Sequence, residues 1–221
     1  MTITLVLLAI IMATVIGWLL RQSLNSEPWN ANDPVENQPG RGVLNIDPAK
    51  IGLLSFMAVA TSLFALFMSA YMMRMNLGDW RPLTEPNLLW ANTAVLVLAS
   101  FAFQLTRNAA TREQLSKVKV GLVAGGLCTT LFLLGQLVAW QQLNTAGYYM
   151  TSNPANAFFY LLTALHGLHL LGGMWVWGRT TIRVLSGADV RSVRLSVELC
   201  TVYWHYLLLV WIGLFGLLLS T

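Results

Sequence analysis

Apolar residues run through this chain in blocks too long and too continuous for a soluble core. Six blocks, at 3–20, 51–73, 88–105, 120–143, 157–177 and 196–219, are nearly free of charge, and the polar residues gather between them. A helix rising about 1.5 Å per residue needs roughly 20 such residues to cross a hydrocarbon layer about 30 Å thick. That layer offers no water to free N–H and C=O groups, so each block must satisfy its hydrogen bonds internally. The pattern predicts six helices and an all-α, polytopic transmembrane bundle.

Charge adds an orientation. Arg21, Arg41 and Lys50 lie between the first two blocks, Arg107, Arg112, Lys117 and Lys119 between the third and fourth, and Arg179, Arg183, Arg191 and Arg194 between the last two. The remaining loops hold Arg74 and Arg81. This bias predicts that the basic loops face the cytoplasm, or the matrix in an organelle, with both termini on the outer, periplasmic side. The net charge of +4 then reports topology and anionic lipid headgroups, and no nucleic-acid partner is expected.

The first block opens MTITLVLL without a basic leader and is followed by Arg21, not by a small-residue cleavage site, so it reads as a retained helix and not a signal peptide. After it, 22–49 turns to Asn, Asp, Glu, Pro and Gly, as in SEPWNANDPVENQPGRG, a loop composition. The expected organisation is therefore 1–49, an N-terminal helix with a polar cytoplasmic loop, and 50–221, a five-helix core. Gly121, Gly125, Gly126, Gly167, Gly172 and Gly173 mark close helix contacts. Trp80, Trp90, Trp140, Tyr148, Tyr149, Trp175 and Trp177 fall near helix ends and read as interfacial anchors. Cys128 and Cys200, each alone in an apolar block, read as packing residues.

The costly side chains cluster in the last two blocks, where ionisable groups at membrane depth call for a reason. His166 and His169 are three apart and share a helix face, while Glu198 and His205 are seven apart and share a stripe on the next helix. His166 and His205 each lie roughly 14 Å inside their spans, so antiparallel neighbours would bring them together near mid-membrane. Three readings stay open: neutral histidines hydrogen-bonded to Thr163, Thr201, Tyr203 or Gln136 to fix helix register, one bis-histidine haem as in a small b-type cytochrome, or a metal held by all three imidazoles. Glu198 reads as a protonated acid, an ion-pair partner of an arginine in the preceding loop, or part of a proton route, for which other acidic groups are lacking in the spans. A small permease would show a polar stripe along several helices or a pair of Pro-broken ones, and neither is visible.

Two stretches carry a resemblance. NAFFYLLTALHGLHLLGG and ELCTVYWHYLLLVW resemble the last two helices of haem-copper oxidase subunit III, with Glu198, Tyr203, Trp204, His205 and Trp211 on matching positions. NTAVLVLAS, with Asn92, Thr93 and Ser100, and LGQLVAWQQL, with Gly135 and Gln136, are similar to earlier helices, so the likeness spans about 51–219. The resemblance implies a non-catalytic subunit of a respiratory terminal oxidase in a bacterial cytoplasmic membrane. Haem and copper would reside in the catalytic subunit I against which it packs, and the chain itself would hold no cofactor or metal but phospholipid in a cleft. It further implies support of assembly, oxygen access, proton uptake and turnover stability. On this reading His166, His169, Glu198, Tyr203 and His205 form a structural polar network, and Arg179, Arg183 and Arg194 are lipid-headgroup candidates. The family usually has seven helices, or five in some quinol oxidases. Its second-block glutamate is missing here, and Leu208 replaces a common Asp. These departures point to a divergent branch, with a nitric oxide reductase as an alternative partner.

Overall fold

The computed structural model describes residues 47–82 and 87–220, so the expected N-terminal helix at 3–20 and most of the loop after it lie outside the described residues. Within them are five helices: α1 (Pro48–Arg74), α2 (Leu88–Thr111), α3 (Leu115–Thr145), α4 (Pro154–Leu185) and α5 (Val190–Leu219). No strand occurs among the described residues. All five are long and apolar enough to cross a membrane.

Local chemistry sets where they start and stop. Pro48 and Pro154 occupy first turns, where a missing N–H costs nothing. The Asn153 and Asp189 side chains accept from Ala155 N at 3.3 Å and Arg191 N at 3.4 Å, capping α4 and α5. Gly147 and Gly187, at φ +86° and +90°, supply the left-handed residue that ends α3 and α4. The helices overrun the apolar blocks: α3 begins at Leu115, not Val120, and α4 continues to Leu185. Their basic ends are helical because Lys and Arg can lay their stems along the helix while the charge reaches the headgroups.

Helix α5 is the hub. It packs against α2, α4 and α1, while α3 lies against α2 and α4. Its buried face includes Trp204, Leu207, Trp211 and Leu214, each with no exposed surface. Helix α1 is attached most lightly, burying Ala60, Phe64 and Tyr71. Glycines such as Gly126 and Gly173 enable close approach: a Cβ on Gly126 would stand 2.0 Å from the Trp177 ring, and one on Gly173 would stand 2.7 Å from Tyr203 Cε1. Outward positions such as Val59, Leu66, Val120 and Leu209 are about two-thirds exposed, a surface suited to lipid.

Candidate functional site

The polar side chains of the last two helices sort by which side of α5 they occupy. An α-helix turns about 100° per residue, so Tyr203 and His205, two apart, point roughly 200° from one another. Tyr203 faces α4, where its hydroxyl donates to the His169 carbonyl at 3.0 Å. His205 therefore faces away, onto α2. There Nε2 donates to Gln104 Oε1 at 3.0 Å, which leaves Nδ1 to accept from the Ser100 hydroxyl. His166 and His205 thus do not meet as their depths suggest, because the rotation of α5 about its axis separates them.

His166 is fully buried on α4, and neither ring nitrogen has a hydrogen-bond partner among the described residues. Its neighbours are aromatic: Trp211 at 5.3 Å, Phe132 edge-on at 5.9 Å and Phe64 at 6.4 Å between ring centroids. None of Thr163, Thr201, Tyr203 and Gln136 hydrogen-bonds an imidazole. Thr163 accepts from Trp140 Nε1 at 3.0 Å, Thr201 donates to the Phe103 carbonyl at 3.1 Å, and Gln136 faces Asn92 at 3.5 Å. His169 donates from Nδ1 to the Leu165 carbonyl one turn earlier at 2.8 Å and packs beside Phe64 and Phe56.

Glu198 keeps its expected stripe with His205, also against α2, but its partners come from elsewhere than the α4–α5 loop. Lys50 Nζ at the start of α1 donates to Oε1 at 3.2 Å, and Arg107 Nη2 on α2 lies 3.6 Å from the same oxygen. One carboxylate so joins three helices at the basic end of the bundle. Arg179, Arg183 and Arg194 are all exposed at that end, Arg179 resting over the Trp175 ring at 5.3 Å.

The five expected residues accordingly fall into three sets: Glu198 and His205 on the α2 seam, His169 and Tyr203 on the α4 seam, and His166 alone among rings. Sequence reasoning does not reach Gln104, Arg107 and Lys50 as partners. The available signal is the spacing of Ser100, Gln104 and Arg107, a polar stripe on an otherwise apolar helix. Among the described residues, no three His, Cys, Asp or Glu side chains group as metal ligands would.

Among the grooves on the surface of the described residues, two bear on these helices. One of about 470 Å³ lies between α1, α4 and α5; Leu53, Phe56, His169, Gly172, Val176 and Trp204 line it, and its wall is almost wholly apolar. The other, about 640 Å³, lies between α2 and α3 at the basic end.

The family model described as cytochrome c oxidase subunit III matches residues 38–219. A protein named probable cytochrome c oxidase subunit 3 from Mycobacterium leprae is 34% identical over 144 residues, covering 62% of this chain and 69% of that protein. A protein of the same name from Mycobacterium tuberculosis is 32% identical over 141 residues, covering 62% and 70%. Cytochrome c oxidase subunit 3 of Synechocystis is 26% identical over 175 residues, covering 76% and 74%.

Proposed function

Because the chain belongs to the cytochrome c oxidase subunit III family, we propose that it is a non-catalytic subunit of a respiratory haem-copper oxidase. The chemistry belongs to the catalytic subunit I, which carries the haem and copper. This chain packs against it, supporting assembly, oxygen access and endurance during turnover. It resides in a bacterial cytoplasmic membrane with its basic loops inside and both termini outside, an orientation supported by the distribution of Lys and Arg.

The observation that carries this reading is that Glu198, Tyr203 and His205 of α5 are engaged within the bundle. His205 uses both ring nitrogens on α2, Glu198 joins α1 to α2, and Tyr203 ties α5 to α4. Their role, with His166 and His169, is to hold helix register. The apolar groove between α1, α4 and α5 suits phospholipid chains, and Arg179, Arg183 and Arg194 are positioned for the phosphates through charge-assisted hydrogen bonds.

Affinity isolation in mild detergent tests the proposal. The chain should co-purify with a haem- and copper-bearing oxidase subunit, and His205→Ala should shorten the working life of the complex while leaving its haem spectrum intact. A stoichiometric Soret band from this chain alone would make it a small b-type cytochrome. Recovery with a nitric oxide reductase, or with no oxidoreductase at all, would overturn the assignment.

A further inference from the structure

The groove between α2 and α3 belongs to none of the sites above. Its walls are Ala102, Leu105 and Ala109 of α2 and Val120, Gly121 and Ala124 of α3, short or apolar side chains that leave a trough running into the membrane-spanning part of both helices. Leu105 is 51% exposed and Val120 69%, so the trough opens outward to the surrounding bilayer. At its mouth stand Arg112 and Lys117, with Asn108, Gln114 and Ser116 beside them.

What sets this mouth apart is the removal of its counter-charge. The turn joining α2 to α3 carries one acid, Glu113, flanked by these cations in sequence. Its backbone adopts φ +56°, unusual for a residue with a Cβ. Its carboxylate turns to α5, where Arg191 Nε and Nη2 donate to Oε1 and Oε2 at 2.8 and 3.3 Å. No ion pair to Arg112 or Lys117 occurs among the described residues. Two uncompensated cations therefore sit over an apolar trough at the level where phosphates meet hydrocarbon.

We propose that this groove is a binding site for one anionic phospholipid, its phosphate between Arg112 and Lys117 and an acyl chain along Leu105, Val120 and Ala124. The charge reads the headgroup, since a cation near an anionic membrane surface gains appreciable electrostatic attraction. The trough reads the tail, which a free phosphate lacks. The site does not depend on the oxidase assignment, because it uses only this chain's own residues and its membrane-spanning character.

The test is lipid retention by the full-length chain in mild detergent, together with whatever subunits co-purify, titrated with phosphatidylglycerol or phosphatidylcholine and read by native mass spectrometry. Wild type should retain phosphatidylglycerol in preference. The exposed double variant R112Q/K117Q should lower that retention at least about tenfold and leave phosphatidylcholine unchanged. A124F, which fills the trough and keeps both cations, should lower it as well, while R81Q, an exposed cation on the opposite side of the bundle, should not. Circular dichroism would establish that each variant keeps its helices. Unchanged phosphatidylglycerol retention in R112Q/K117Q, equal loss of both lipids, or displacement by inorganic phosphate alone would overturn the proposal. So would finding that an acidic helix of a co-purifying subunit fills the groove.

Discussion

The two seams of α5 solve the same problem by different physics. Toward α2 the contact is a ladder of polar groups: Glu198 with Arg107, Thr201 with the Phe103 carbonyl, His205 with Ser100 and Gln104, and Trp211 Nε1 with Thr93 at 2.9 Å. Toward α4 the contact is mostly shape, with His166 wedged among Trp211, Phe132 and Phe64, and Tyr203 and Trp204 seated against Gly173. Lipid tails are as apolar as leucine, so burying hydrocarbon gives no advantage in a bilayer. Hydrogen bonds can hold helices together there, and so can close fit, and α5 uses one on each side.

The sharpest way to break the shape-held seam is Gly173→Leu, whose Cβ alone collides with Tyr203. A loss of about 2–3 kcal/mol is expected as a lower melting temperature in detergent. Gly178→Leu, on the same helix but with nothing within 4 Å of its Cβ, should change little.

The histidines separate the seams next. His205→Ala deletes two hydrogen bonds and should cost about 1 kcal/mol, since such bonds average roughly 0.6 kcal/mol in membrane proteins. His166→Leu deletes none, and an apolar side chain of similar size among rings should be within about 0.5 kcal/mol of neutral. If unfolding midpoints showed His166→Leu to be the more damaging, the contrast between the seams would be reversed.

At the basic end, Glu198→Gln leaves Lys50 and Arg107 without their shared carboxylate. All three side chains are roughly a third exposed, so the effect should stay under about 1 kcal/mol and shrink with added salt. A salt-independent loss would mean that the group acts other than as an ion pair.

The smallest effect belongs to the opposite end. Asp79, in the turn after α1, is paired with Arg74, whose hydrogen bond and charge hold its carboxyl below the ordinary aspartate range. A depressed folded-state value stabilises the fold above the unfolded pKa, and that contribution fades as pH falls through the folded one. Asp79→Asn should therefore lower neutral stability slightly and flatten the acid limb of the stability profile, variant and wild type converging below about pH 4.

Much of this was legible in residue order, for reasons that are local. The five described spans follow from unbroken apolar runs, and the shared stripe of Glu198 and His205 from a seven-residue spacing. The two seams were half legible. Glu198 was identifiable as a costly group, but its partner Lys50 is 148 residues away in sequence, and Arg107 belongs to a helix whose rotation the spacing leaves free. The supposed meeting of His166 and His205 failed on the same variable, since depth in the membrane is a matter of counting and azimuth is not.

The sequence by itself determined that each described segment is long and apolar enough to cross a bilayer, that it must be a helix, and which loops carry the charge, because the absence of water in hydrocarbon constrains every segment separately. Tertiary structure alone decided which way each helix turns: that His205 reaches Gln104 while His166 stays among rings, and that Glu113 swings to Arg191 and leaves two cations above an open trough. Rotation about a helix axis costs an isolated segment almost nothing in lipid, so it is fixed only when neighbouring side chains interlock.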